Sequence, residues 1–529
     1  MKSVSRSLPA LLICIVLPTL FFFSCTVQKD PVGTLGNIVE TRYGRLQGAV
    51  NEDKTVTSFK GIPFAAPPVG NLRWREPQPP AAWEGIRDAT HFSASCMQAG
   101  EGQARLPWTE EFMNQTEISE DCLFLNVWTP ANSVSERLPV LAWIHGGGFR
   151  EGSGSIDVYD GEELARKGII VVTVNYRLGV LGFLSHPELT AESSHHASGN
   201  YGYMDQVAAL RWIQENIVAF GGDPGRVTVS GQSAGALSVQ ALSVSPLAKG
   251  LFQRAILVSG ARMSTMTRFV PRDLAEAKGV EFAQSKGVSD LAGLRALPAA
   301  ELIADFRPNN DWSSIVDGWF LPEAMDTILT KGQHSDVPTM AGLTADDRRP
   351  RLSTLAEFHE QARTEYGDRT TGFLNLYPAN SDEEAIQMAS RATRDLGRIA
   401  TAEWAEFRGN ASQAPAYTYF FSRAIPWPEH PEFGAFHTSD VVYWFNNLKM
   451  LDRPWLEADW NLADTASSYW VNFARTGDPN GEGLPHWPAF DTNSTETLAL
   501  DLQVGTIPIA AEKQLEFLSV ESVKPSAGK

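Results

Sequence analysis

The pentapeptide Gly231-Gln232-Ser233-Ala234-Gly235 constrains the fold more than any other stretch of this chain. It follows the β-rich run Val227-Thr228-Val229-Ser230 and precedes a helical run that begins at Ala236. A serine on a sharp turn between strand and helix is the context of a nucleophile elbow. Flanking glycines let the backbone turn tightly, and a helix N-terminus favours negative charge developing beside it. Taken alone, the pentapeptide also fits a Gly-rich turn with an idle serine. The surrounding pattern favours the elbow. Val140–Ile144, Ile169–Tyr176, Arg226–Ser230, Arg254–Val258, Thr339–Leu343 and Ala416–Phe421 read as buried strands, with helical stretches such as Asp205–Phe220 between them. Strands alternating with helices predict a largely parallel α/β sheet. Residues 262–335 and 350–412, rich in Ala, Leu, Glu and Arg, read as helical excursions and not as separate domains.

A second stretch, His145-Gly146-Gly147-Gly148-Phe149, ends the strand Val140–Ile144. Three consecutive glycines expose backbone N–H groups with no side chain in the way, and acyl transfer needs such donors for its tetrahedral oxyanion. An HGGG segment upstream of a GxSxG serine is the arrangement expected in esterases and lipases. His145 then shapes the loop and is not the general base. In that arrangement the acid and then the histidine follow the serine. His334, His359, His430, His437 and His486 all follow Ser233. His437 stands in a loop-like segment, Gly434-Ala435-Phe436-His437-Thr438-Ser439-Asp440, whereas the others stand in charged or Pro-rich contexts. For the acid, Asp346 and Asp347 follow the apolar run Thr339–Leu343. A carboxylate at the tip of a strand is placed to orient an imidazole. An ordinary solvated loop carboxylate is the competing reading.

The N-terminus reads as an address. Residues 1–24 carry Lys2 and Arg6, no acid, and an almost wholly apolar run from Leu8 to Phe23. That pattern is a secretory signal, too short for a transmembrane helix. It ends Phe22-Phe23-Ser24-Cys25, which resembles a bacterial lipobox, where the cysteine becomes the lipidated first residue. A chance cysteine near an ordinary cleavage site is the alternative. Residues 25–37 read as a tether and residues 38–520 as one catalytic domain. The expected location is the bacterial cell envelope, lipid-anchored or periplasmic, or the medium. Of four cysteines, Cys14 leaves with the signal and Cys25 takes the lipid. The pair left over, Cys96 and Cys122, invites a disulfide in an exported protein. With no CxxC and no clustered histidines, zinc is not expected. The net charge of −18 over 529 residues argues against a nucleic-acid binder, which needs a basic surface, and 43% hydrophobic residues argue against disorder.

Further segments carry a resemblance. Phe59-Lys60-Gly61-Ile62-Pro63-Phe64-Ala65, Leu72-Arg73-Trp74, Glu120-Asp121-Cys122-Leu123-Phe124-Leu125-Asn126-Val127-Trp128, Asn175-Tyr176-Arg177-Leu178-Gly179 and Gly199-Asn200-Tyr201-Gly202 occur in that order. Phe473-Ala474-Arg475-Thr476-Gly477-Asp478-Pro479-Asn480 and Trp487-Pro488 follow. The chain resembles the type-B carboxylesterase family, which includes cholinesterases and bacterial para-nitrobenzyl-type esterases, from about Val39 to about Phe490. The resemblance implies an α/β-hydrolase fold, with a mixed, mostly parallel sheet flanked by helices and helical insertions over an active-site gorge. It implies ester hydrolysis through an acyl-enzyme, with no cofactor and a small-molecule ester as substrate. It implies Ser233 as nucleophile, His437 as base, Asp347 as acid, and Gly147, Gly148 and Ala234 as oxyanion donors. Ser259 is implied as a hydrogen-bonding neighbour of the acid, and Cys96 and Cys122 match the family's first disulfide. Asp347 stands where the family usually has Glu, and Arg348 replaces a usual Gly. Gln232 replaces a common Glu beside the nucleophile, which disfavours a cationic choline ester. A lipase or sterol esterase on the same scaffold, or a non-catalytic cholinesterase-like binding protein, are the other readings. Trp108, within the Cys96–Cys122 loop, reads as a packing tryptophan or a substrate-wall aromatic.

Overall fold

Val140, Leu141, Ala142, Trp143 and Ile144 are all buried, as a strand covered on both faces requires. Their side chains alternate between two cores. Val140, Ala142 and Ile144 belong to one apolar cluster, and Leu141 and Trp143 to another. The same alternation recurs in Ala255 and Leu257 against Ile256 and Val258. One sheet therefore separates two layers of helices, the three-layer solution that buries both of its faces.

The computed structural model describes residue 1 and residues 35–99, 105–266, 269–304, 312, 314–491 and 493–522. Apart from Met1, the expected signal over residues 1–24 lies outside the described residues, as do Cys25 and most of the expected tether. Among the described residues, eleven strands form the main sheet. In chain order they are β1 (Ala49–Val50), β2 (Thr57–Pro63), β3 (Phe124–Thr129), β4 (Leu138–Ile144), β5 (Ile170–Val174) and β6 (Gly222–Gln232). Then come β7 (Arg254–Val258), β8 (Thr339–Thr344), β9 (Ala416–Phe421), β10 (Glu496–Leu500) and β11 (Gly505–Pro508). Their spatial order is β11-β10-β9-β8-β7-β6-β4-β5-β3-β2-β1. From β5 to β10 neighbouring strands pair in parallel, and both flanks of the sheet are antiparallel. This is the expected mixed, mostly parallel sheet.

Four helices frame the sheet's centre. α1 (Tyr201–Asn216) and α2 (Ala234–Val244) pack with the first cluster, through Val207, Leu210, Val239 and Leu242. α4 (Glu457–Thr476) covers the opposite face with Leu462, Ala466 and Trp470. Between them in sequence, α3 (Asp382–Gly409) closes a third, smaller apolar cluster through Ala385, Ala389 and Ile399. The helical excursions expected over 262–335 and 350–412 are present, including Arg272–Ser285 and Leu355–Tyr366.

Expected and observed bounds differ in instructive places. The run Ile169–Tyr176 is strand only over Ile170–Val174; the Asn175 amide still reaches the Phe124 carbonyl at the start of β3, 3.0 Å away, where that partner strand begins. α1 starts four residues before the expected Asp205, because Asn200 takes a left-handed backbone (φ +55°) that turns the chain into the helix at Tyr201. It then tightens into a 3₁₀ turn over Ile217–Phe220. The antiparallel flanks were not legible, since an apolar run does not encode strand direction.

Cys96 and Cys122 form a disulfide that closes a 26-residue separation. Closing a loop of this size stabilises the fold by roughly 3 kcal/mol in the chain-entropy account. The double variant Cys96→Ala/Cys122→Ala is therefore expected to lower the urea midpoint, with an m-value equal to or above that of wild type because the uncrosslinked unfolded chain exposes more surface. Wild type under reducing conditions should match it, and a midpoint unaltered in both would contradict this contribution.

Candidate active site

Ser233 links β6 directly to α2, and its backbone sits at φ +56°, ψ −120°. A non-glycine residue there is strained, and the surrounding contacts must hold it. Those contacts are tight. Gly231 pairs with Ile144 of β4 in register. A Cβ at Gly235 would fall 2.0 Å from the Ile144 carbonyl oxygen, and one at Gly231 would fall 2.5 Å from the Gly235 carbonyl. Only glycine fits either position. The Ser233 amide donates to the Val258 carbonyl at the end of β7, 2.8 Å away.

The next strands repeat the device. The Ser259 amide bonds to Gly342 of β8 at 2.7 Å, and the Ala345 amide bonds to Phe421 of β9 at 2.8 Å. Four adjacent parallel strands, β6 to β9, thus deliver Ser233, Ser259, Asp347 and the His437 segment to one edge of the sheet. Ligand sites in open α/β sheets lie at this carboxyl edge.

His437 Nδ1 lies 2.5 Å from Asp347 Oδ1, across 90 residues of sequence. The second oxygen, Oδ2, accepts from Arg262 Nη2 at 2.5 Å. Burial by itself raises the Asp347 pKa, but the His437 ring and the Arg262 guanidinium outweigh it and hold the carboxyl well below its usual range. Asp346 does a different job. Its Oδ2 accepts from the Ala435 amide at 2.8 Å, its own amide donates to the Ala435 carbonyl at 2.9 Å, and its Oδ1 takes Arg394 at 2.6 Å. Of the adjacent aspartates, Asp346 therefore holds the His437 loop and Asp347 holds the ring. Ser259 stands beside Asp347, and its hydroxyl adds to the lowering. That hydroxyl is buried and falls short of strict hydrogen-bond geometry, yet it is close enough to favour the charged carboxylate.

The other ring nitrogen, His437 Nε2, meets the Gln232 carboxamide nitrogen at 3.0 Å. An amide NH₂ only donates, so in this orientation Nε2 is the acceptor and Nδ1 carries the proton toward Asp347. Residue-type reasoning placed Gln232 beside the nucleophile but did not foresee this bond.

Gly147, Gly148, Gln232, Ser233 and His437 line one cavity of about 250 Å³. Gly147 sits at φ +98°, and a Cβ there would fall 2.0 Å from the Glu151 carbonyl oxygen, so the loop admits only glycine. Ala234 is the first residue of α2, where an amide has no intrahelical acceptor. Trp108 lines the same cavity, and its Nε1 donates to Thr438 Oγ1 at 2.8 Å. It ties the disulfide loop to the His437 segment as well as forming wall. The other downstream histidines lie elsewhere. His334 lines a separate cavity beside Trp404, His359 lies in the helix Leu355–Tyr366, His430 pairs with Glu432, and His486 is exposed.

The chain matches the model of the carboxylesterase family over residues 36–518. It belongs to that family. It is 36% identical over 495 residues to the fumonisin B1 esterase of Sphingopyxis macrogoltabida, covering 88% of this chain and 86% of that protein. It is 36% identical over 493 residues to the para-nitrobenzyl esterase of Bacillus subtilis, covering 88% and 95%. It is 35% identical over 502 residues to human cocaine esterase, covering 87% and 86%. The chain is accordingly a carboxylic ester hydrolase on an α/β-hydrolase fold, acting on small-molecule esters.

In this carboxylesterase His145 is structural. Its ring stacks on Tyr176 with centroids 4.4 Å apart, and its Nδ1 lies 2.8 Å from the Gly146 carbonyl. Burial pushes its pKa down to about 4, so the ring is neutral at pH 7. The unfolded chain binds this proton near pH 6.5, and the folded chain only near 4. Stability from this group is therefore full above pH 6.5 and is lost as pH falls toward 4. Between pH 7 and pH 5 wild type should lose about 2 kcal/mol more than His145→Gln. Urea unfolding of both at the two pH values checks this, and equal losses would refute it.

Proposed function

We propose that Ser233, His437 and Asp347 hydrolyse carboxylic esters through an acyl-enzyme. The observation that carries this reading is the 2.5 Å contact between His437 and Asp347, with Ser233 and the glycine loop lining the same cavity. His437 Nε2 exchanges Gln232 for the Ser233 hydroxyl and takes its proton as the oxygen attacks the ester carbonyl. The carbonyl oxygen becomes an oxyanion held by the amides of Gly147, Gly148 and Ala234. Collapse of this intermediate breaks the ester C–O bond, and the imidazolium gives its proton to the departing alcohol. Water then enters, His437 takes one of its protons, and a second tetrahedral intermediate releases the carboxylic acid and restores Ser233. Asp347 keeps the ring in the tautomer with hydrogen on Nδ1 and stabilises the imidazolium. Every group this scheme needs comes from the chain itself.

A cavity of about 250 Å³ favours esters with short acyl and alcohol parts over long-chain triglycerides. The neutral Gln232 gives a cationic alcohol no charge partner. For location, the sequence of residues 1–25 supports export with a lipid on Cys25. Palmitate labelling in cells that survives Cys25→Ser would defeat the anchor.

The purified Ser233→Ala variant is expected to lose kcat on a short-chain nitrophenyl ester by at least 10⁴-fold, and Asp347→Asn by about 10²–10⁴-fold. Turnover by Ser233→Ala at the wild-type rate would sink the assignment. Across nitrophenyl esters of increasing acyl length, kcat/KM should fall from short to long chains, and a maximum at the longest chain would favour a lipase instead.

A further inference from the structure

Arg262 has no part in the scheme above, yet it touches the group on which the base depends. It leaves the end of β7, beside Ser259, and reaches across to the acid at the end of the neighbouring strand β8. Its Nη2 lies 2.5 Å from Asp347 Oδ2 while Oδ1 faces His437. The Arg262 side chain is 12% exposed and that of Asp347 7%. Each carboxylate oxygen is thus committed to one cation-bearing or ring nitrogen. An aspartate carboxylate can spin about its last bond, and a single hydrogen bond to the imidazole leaves that rotation soft. The guanidinium, planar and permanently charged, removes it.

We propose that Arg262 is a positioning residue for the hydrolytic site. It fixes the Asp347 carboxylate edge-on to His437 and keeps that carboxylate from over-stabilising the imidazolium. The inference rests on the proposed roles of Ser233, His437 and Asp347. The physical argument runs through two consequences. With Arg262 present the carboxylate has one orientation, so the Nδ1–H tautomer is set before substrate arrives. The cation behind the carboxylate also offsets part of the negative charge that the ring feels. Without it, His437 faces an uncompensated buried carboxylate and holds its proton to higher pH. A base is useful only while neutral, so the acid limb of activity moves upward.

Other charges stand around this pair. Across the cavity from His437, Arg105 pairs with Glu151, and Arg150 lines the same wall. Asp440, three residues beyond His437, is fully buried, accepts from Tyr419 Oη at 3.0 Å and Trp444 Nε1 at 3.1 Å, and burial pushes its pKa up to about 6. Asp346 is neutralised by Arg394. Arg348 follows Asp347 in the chain. Arg262 is the cation whose nitrogen stands on the acid's second oxygen.

The test compares wild type, Arg262→Gln and Arg262→Lys, with Ser233→Ala as control, in kcat and KM profiles from pH 5 to 9 on one short-chain nitrophenyl ester. Arg262→Gln should lower kcat by about 10–100-fold with KM changed less than about threefold, since the loss lies in the transition state. Its acid limb should move upward by roughly half to one pH unit, as removal of a nearby positive charge requires. Arg262→Lys keeps the charge, so its limb should stay in place and most of kcat should return. A residue that merely supports the fold would lower the fraction of active enzyme without moving the limb. An unmoved limb in Arg262→Gln, or a loss in Arg262→Lys as deep as in the Gln variant, overturns the proposal. Should the Gln variant not fold, Arg262→Met removes the same charge and takes its place, and an unmoved limb in that variant overturns the proposal. Inactive Ser233→Ala beside unaltered Arg262→Gln would overturn this inference and leave the nucleophile standing. Activity surviving in Ser233→Ala would overturn both.

Discussion

The close approach of α2 to the end of β4 is the constraint on which the site depends. The Ile144 carbonyl oxygen lies where a side chain on Gly235 would begin, and Gly231 meets Gly235 in the same way. This contact forces the chain through a left-handed residue at the junction, and that residue is Ser233. Its hydroxyl is therefore presented above the strand ends by backbone geometry and not by a flexible side chain. The glycine loop leaves the very strand that supplies the Ile144 carbonyl, so Ser233 and the amides of Gly147 and Gly148 are placed by one packing contact. Strain of this kind costs on the order of 1–3 kcal/mol and persists because the strongly buried strands around it over-determine the turn.

Charge is handled locally. The chain carries −18 overall, but each carboxylate at the site has its own partner. Asp347 is shared between His437 and Arg262, and Asp346 is held by Arg394 and the Ala435 amide. His145 avoids the problem by staying neutral between Tyr176 and Gly146. Buried charges left unpaired would cost several kcal/mol each, so these pairings are conditions for placing ionised groups near a carboxyl-edge cavity at all.

The parts of this architecture that were legible in the sequence are those with local signals. β7 and β9 have the bounds that their apolar runs predict, because buried strands bounded by polar residues announce both ends. Ser233 and the glycine loop were legible because tight turns demand particular residues at fixed offsets. His437 and Asp347 needed the resemblance, since nothing local distinguishes a loop histidine that meets a carboxylate 90 residues away. Arg262 and the division of labour between Asp346 and Asp347 left no local trace. They arise where neighbouring strand ends bring together side chains that are remote in sequence. The Gln232–His437 contact is of the same kind. The mixed character of the sheet came with the resemblance and not from the apolar runs, because direction is a property of connections, not of residue pattern.

The central claim is that the strained residue at the β6–α2 junction is the nucleophile. A fluorophosphonate reacts with an activated serine and leaves a stable covalent phosphonyl adduct of known mass. Intact-mass and peptide-mapping measurements on the native, full-length protein should show one adduct per chain, on the peptide that contains Ser233, with none after denaturation. An unlabelled native protein, or an adduct mapped to another residue, would contradict the account.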